Sequence, residues 1–164
     1  DFKDASVDAV MSTVALHHLP DAAALERTIS EVARVLRPGG GLYLVDFGHL
    51  KAEKSIEDFA YQYDDRQAEL FTLDYLYSLR AAFTRDEFRR CAQQHLAGRA
   101  RFYSTFIMPF MVAIKSLPRE GALPASTLRE LQHLRQQLPG HHQNDLADLR
   151  TFFRLGGLSL PLPG

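Results

Sequence analysis

Residues 7–16, VDAVMSTVAL, form a nearly unbroken apolar run with small residues toward its end. Such a run predicts a strand apolar on both faces, of the kind buried in a parallel sheet. HHLPD follows as a turn, with Asp21 placed to cap a helix. Leu25, Ile29, Val32, Ala33 and Leu36 then recur at helical spacing, with Glu26, Arg27, Glu31 and Arg34 on the opposite side. Pro38 is expected to end that helix, because the residue before a proline avoids helical backbone. Gly39 to Gly41 can then take positive φ and turn the chain back. GLYLVDFG, residues 41–48, is a second apolar run. Strand, helix and strand with short connections imply a parallel pair joined by a right-handed crossover.

Residues 51–83 are helical in composition and rich in aromatics, and read as two helices, near 53–63 and 66–82. In TRDEFRRCAQQHL, residues 84–96, Thr84 and Glu87 have capping-box spacing. Phe88, Cys91, Ala92, His95 and Leu96 share one face of the helix they open. ARFYSTFI and FMVAIKSL read as an antiparallel strand pair joined at Met108-Pro109. Beyond Pro118, GALPAS is a loop; Leu128, Leu131, Leu134 and Leu138 stripe one helix, and Leu146, Leu149 and Phe153 another. GGLSLPLPG is an irregular end.

Charge and composition narrow the classes. The 164 residues carry a formal net charge of −1, which gives no nucleic-acid footprint. No apolar run approaches the roughly 18 residues that span a bilayer, so no membrane partner is expected. The single cysteine, Cys91, excludes an internal disulfide, fits a reducing cytoplasm, and reads as a core residue rather than a nucleophile. His133, His141 and His142 lack a third ligand at firm spacing, so no metal is expected; the last two read as loop residues.

ASVDAVMSTVALHHLPD, ISEVARVLRPGGGLYLVDF, SLRAAFTRDEFRR and FYSTFIMPFMVAIKS together resemble the C-terminal portion of a class I S-adenosylmethionine-dependent methyltransferase (methyltransferase type 11-like). The resemblance covers residues 1–117 and is strongest over 7–47. It implies an α/β fold: a partial Rossmann-like arrangement of parallel strands, a closing antiparallel pair and flanking helices, with a helical insert at about 50–83. Residues 118–164 are expected to be a helical C-terminal extension. The family's glycine-rich loop and the acid that holds the cofactor ribose have no counterpart here. Gly39 to Gly41 sit in a helix-to-strand turn and cannot serve. A truncated product or fragment is therefore expected, with a complete divergent domain as the alternative.

The resemblance implies S-adenosyl-L-methionine as cofactor and a small-molecule methyl acceptor. Ligands in open parallel sheets sit beyond the carboxyl ends of the strands, so Ser12, Thr13, Val14, Ala15 and Leu16 are the implied cofactor-facing edge, or simply buried strand. His17 and His18 follow, as base or acceptor-orienting groups, or as loop histidines bonded to backbone; His17 is favoured as the one nearer the site. Asp46 ends the second strand, as a carboxylate on the substrate rim or as a helix cap, with Gly48 and His49 extending that rim. Tyr61, Tyr63, Tyr75 and Tyr77 in the insert line an acceptor pocket or pack in the core. Arg80 meets an acidic acceptor group or makes a surface ion pair.

Three function classes remain: a methyltransferase, a non-catalytic methyltransferase-like binding or partner module, and a nicotinamide-dependent enzyme. The last is disfavoured by the closing strand pair and the missing dinucleotide fingerprint. Without the strands that would precede it, VDAVMSTVAL is expected to expose an edge open to self-association, unless the two tail helices cover the bare face of the sheet.

Overall fold

The structure, a computed structural model, describes residues 2–118 and 123–158. Four strands form one sheet: β1 (Val7–Thr13), β2 (Leu36–Phe47), β3 (Ala100–Ser104) and β4 (Met111–Ser116), in spatial order β1-β2-β4-β3. β1 and β2 are parallel, and β4 lies antiparallel to both β2 and β3. The helices are α1 (Ala22–Val35), α2 (Glu53–Tyr61), α3 (Glu69–Ala81), α4 (Arg85–His95), α5 (Ala125–Gln137) and α6 (Gly140–Leu155). None of the helices among the described residues is long and apolar enough to cross a membrane.

The alternation of β2 and β4 divides the core. Leu42 and Leu44 of β2, with Val112 and Ile114 of β4, face α1 and α4, where Leu25, Ile29, Phe88 and Leu96 are fully buried. Val45, Met111 and Ala113 face the other way, onto Phe153 of α6 and Leu158. Beyond the ends of these strands, Leu50, Ile56, Ala60, Leu76 and Leu79 join α2 to α3, with Phe47 and Phe110 packed against them. Cys91 lies in the first of these cores, where burial pushes its thiol pKa up.

Local signals hold where the chemistry is local. Asp21 accepts a bond from Ala24 N–H at 2.7 Å. Thr84 and Glu87 make both bonds of the capping box at the start of α4. The break after α1 differs from expectation. Leu36 is extended (φ −72°, ψ 121°) and pairs with Val7, so the helix ends at Val35, ahead of Pro38. The next aligned pair is Ala9 with Gly41, so the Pro-Gly-Gly segment bulges out of the ladder with Gly39 at φ 70°. Arg99 holds this turn, donating to the carbonyls of Ala33 (2.7 Å) and Leu36 (2.6 Å). Those bonds satisfy carbonyl groups that a helix end leaves free.

Three further expectations are corrected. β1 is not buried on both faces: it is the sheet's edge strand, and Met11 is 76% exposed. Of the two tail helices, only α6 covers the sheet; α5 buries none of its residues, and Leu134 and Leu138 of its stripe are exposed. His141 and His142 lie in the first turn of α6 rather than in a loop. The irregular end expected at 156–164 falls mostly outside the described residues, as does part of the GALPAS loop.

Candidate functional site

Because β1 and β2 are parallel, their carboxyl ends lie side by side, with Thr13 opposite Val45. Val14 extends the pairing by one bond, from its N–H to the Val45 carbonyl at 2.8 Å. The chain then turns sharply. Val14 sits at φ 50°, a left-handed conformation uncommon for a β-branched residue and costing on the order of 1–3 kcal/mol. A 3-10 turn, Leu16–His18, follows at once.

Asp46 holds that turn. Its Oδ2 accepts from the N–H groups of Ala15 (2.9 Å) and Leu16 (2.5 Å). Its Oδ1 accepts from Phe47 N–H at 2.7 Å and lies 2.8 Å from His17 Nδ1. The Asp46 side chain is fully buried and that of His17 is 2% exposed. A carboxylate offers only acceptors, so Nδ1 donates to Asp46, and Nε2 is the ring's other nitrogen. That Nε2 is buried and has no hydrogen-bond partner among the described residues, an exception that calls for an explanation. The carboxylate is therefore not on an open substrate rim, as expected from the sequence. It is an internal bracket between two strand ends.

The other expected site residues are distributed unevenly. In the run from Ser12 to Leu16, Thr13 and Ala15 are exposed, Ser12 is half-buried, and Leu16 and Val14 pack into the two cores of the sheet. His18 is exposed, its ring 4.1 Å from that of His17. Tyr75 is brought in indirectly: its ring lies 5.4 Å from Phe47, and Phe47 lies 5.2 Å from His17. Burial pushes the Tyr75 phenol pKa up to about 12. Tyr77 and Tyr61 are exposed, and Arg80 is engaged by Glu53 of α2. Gly48 allows the end of β2 to pass the Pro109 carbonyl, which a Cβ there would meet at 2.0 Å. Phe47, the ring that links His17 to the insert, carried no sequence signal beyond its place in an apolar strand.

The residues present do not by themselves cradle the nucleotide cofactor that the resemblance implies. The N–H groups of Ala15 and Leu16, which could have faced a ligand, are spent on Asp46. Among the described residues, the positive-φ glycines are Gly39, Gly98 and Gly157, and none lies between a strand and a following helix. At this strand end Thr13 and Ala15 are the exposed residues.

Solved structures with a similar arrangement include a SAM-dependent methyltransferase from Methanosarcina mazei, with 22% identity over 72% of this chain and 63% of that one, at a TM-score of 0.42. An arsenic(III) S-adenosylmethionine methyltransferase from Chlamydomonas reinhardtii gives 19% identity over 74% of this chain and 41% of that one, also at 0.42. A protein from Bordetella parapertussis described as "a possible exported protein" gives 16% over 72% and 41%, at 0.47. The chain thus spans between 41% and 63% of the length of these structures. Residues 1–44 match the family model described as a methyltransferase domain, and that segment runs through β1, the 3-10 turn and α1 into β2, stopping just before Asp46. Over its first 44 residues this α/β chain, with four strands and flanking helices among the described residues, is similar in sequence to a methyltransferase domain.

Proposed function

We propose that the chain forms the acceptor side of an S-adenosylmethionine-dependent methyltransferase acting on a small molecule. The observation that carries this reading is the buried His17–Asp46 pair at the carboxyl ends of two adjacent parallel strands, with Nε2 of His17 unpartnered. S-adenosylmethionine, when bound, supplies a reactive sulfonium methyl group. The protein then has to align the acceptor and take its proton. His17 Nε2 is the proton acceptor in this reading. Asp46 is a positioning residue, which fixes the tautomer and orientation of the ring.

Thr13 and Ala15 form the cofactor-side wall, supported by Ser12, Val14 and Leu16. His18 and Tyr75 flank the acceptor. Tyr77 and Arg80 stand at its outer margin, Arg80 through its pair with Glu53. The glycine-rich loop and the ribose-binding acid come, in this reading, from polypeptide outside these 164 residues, docked along β1. A second reading, a methyltransferase-like partner module without catalysis, is favoured by one observation: the strand-end N–H groups are already consumed by Asp46.

The test is calorimetric titration of S-adenosylhomocysteine into this chain and into the same chain extended by the residues encoded upstream. The expected result is micromolar binding by the extended protein alone. Its His17→Asn variant should keep that binding and lose methyl transfer. A folded extended protein that does not bind sinks the enzyme reading in favour of the partner module. Micromolar binding by the 164-residue chain overturns the division into two sides.

A further inference from the structure

The tail helix α6 closes a second feature. Between the α2–α3 insert, the turn joining β3 to β4, and α6 lies an open cavity of 470 Å³, within the size range of small-molecule sites. Its walls are aromatic, with Phe59, Tyr63 and Tyr75 from the α2–α3 insert and Phe106, Phe110 and Phe152 from the β3–β4 turn and α6. Asp145 and Asp148 of α6 reach it, and among the described residues no lysine or arginine lines it.

The charge inside is one-sided. Tyr63 O–H faces Asp145 Oδ1 at 3.3 Å. Burial, then the neighbouring Asp145 carboxylate, pushes the Tyr63 phenol pKa up, and burial does the same at Tyr75. Both phenols are thus neutral at physiological pH, and the two carboxylates are the cavity's net charge. Two basic side chains stand outside the lining. Arg66 lies 5.2 Å over the Tyr63 ring beside Asp65, and His142 Nδ1 is 3.7 Å from Asp145.

We propose that this cavity binds an organic cation, an ammonium carried on an apolar body. Aromatic faces attract a cation and gain more as it is desolvated, while the apolar walls bury the rest of the molecule. The two aspartates repel anionic ligands, and they also oppose docking of this face on an anionic lipid surface despite the exposed Phe106 and Ile107 at its rim. The site stands whether or not the chain transfers methyl groups. Only the corollary, that the methyl acceptor is an apolar amine, rests on the methyltransferase reading. Tyr75 is the link between the two places, since it lines the cavity and its ring packs at a tilt against Phe47, whose ring in turn packs against His17.

The experiment uses three probes of one shape: 4-phenylbutylamine, 4-phenylbutanol and 4-phenylbutyrate, titrated calorimetrically into the intact chain at neutral pH. The amine should bind about tenfold tighter than the alcohol, as a partly desolvated cation over aromatic rings does, and the carboxylate weakest. Asp145→Asn with Asp148→Asn should erase the preference for amine over alcohol, whereas Asp148→Glu should keep it. Equal or tighter binding of the alcohol, no binding of any probe, or an unchanged preference in the folded double variant overturns the proposal. The wild-type comparison decides the matter even if the double variant does not fold. Because only binding is read, failure here leaves the methyltransferase reading untouched, and failure to bind S-adenosylhomocysteine leaves this site untouched.

Discussion

Nδ1 of His17 lies 2.8 Å from Oδ1 of Asp46, and both side chains are buried although they sit on neighbouring strand ends 29 residues apart. The same carboxylate accepts three backbone N–H groups, two of them from the turn that Val14 enters at φ 50°. One side chain therefore both stabilises a strained turn and orients an imidazole. Removing it leaves several buried donors unmatched, each costing about 1–3 kcal/mol. Asp46→Asn is expected to lower unfolding stability by roughly 2–4 kcal/mol, because an amide NH₂ must then face N–H donors. His17→Asn should cost less, since the backbone bonds remain. Urea denaturation of both single variants and the double variant checks this. Equal costs for the two single changes would mean that Asp46 acts only through His17.

Alkaline pH supplies a second handle. The Tyr75 phenol is pushed up to about 12 by burial, against about 10 in the unfolded chain. The folded state therefore holds this proton when the unfolded state has lost it. The stability it contributes is fully present below about pH 10 and is lost as pH rises toward 12, a span worth roughly 3 kcal/mol. Stability measured from pH 9 to 12 should fall more steeply in the wild type than in Tyr75→Phe. No hydrogen bond of the Tyr75 hydroxyl is seen among the described residues, so the substitution should cost little at neutral pH. Identical slopes would place the ring in water.

The parts legible from sequence are those set by neighbours along the chain. The Thr84–Glu87 box, the Asp21 cap, and the residue types facing inward on α1 and α4 follow from spacing alone. The site was legible only in outline. His17 and Asp46 each stood out by position at a strand end, but their pairing depends on the register between β1 and β2, which neither segment encodes by itself. The helix end at Val35 escaped for a similar reason, because pairing of Leu36 with Val7 claims that residue before Pro38 acts. Leucine spacing predicted α5 and α6 alike, yet only α6 reaches the sheet. The difference lies in Phe153 and in the glycine that lets the helix end approach β3.

At the rim of the site, Gly48→Ala should be costly. The new Cβ would sit 2.0 Å from the Pro109 carbonyl oxygen and 3.1 Å from Val112 Cγ1. The first of these is backbone and cannot rotate away. The β2 end must part from β4, breaking the 3.0 Å bond from Gly48 N–H to the Phe110 carbonyl. Overpacking of this kind costs about 1–3 kcal/mol. Amide exchange should accelerate at Phe47 and Gly48 and, through Asp46, at Ala15 and Leu16. Acceleration confined to Gly48 alone would show that the bracket does not depend on this crossing.

Two adjacent glycines at the end of α6 give the sharpest contrast. A Cβ on Gly156 would meet the Ser104 carbonyl oxygen at 1.9 Å, while one on Gly157 meets nothing within 4 Å. Gly156 has φ −81°, which alanine adopts freely, whereas Gly157 has φ 90°, which it does not. Gly157→Ala should therefore cost about 1 kcal/mol of backbone strain and leave the helix in place. Gly156→Ala should lift α6 from β3, exposing Phe153 and Leu158, at a cost of about 3–6 kcal/mol if both lose their burial. Limited proteolysis should then cut within α6 in Gly156→Ala and not in Gly157→Ala. The 4-phenylbutylamine site should follow the same pattern, since α6 supplies Asp145, Asp148 and Phe152 to it. Equal protease resistance of the two variants would mean that α6 is held by something other than its close approach to Ser104.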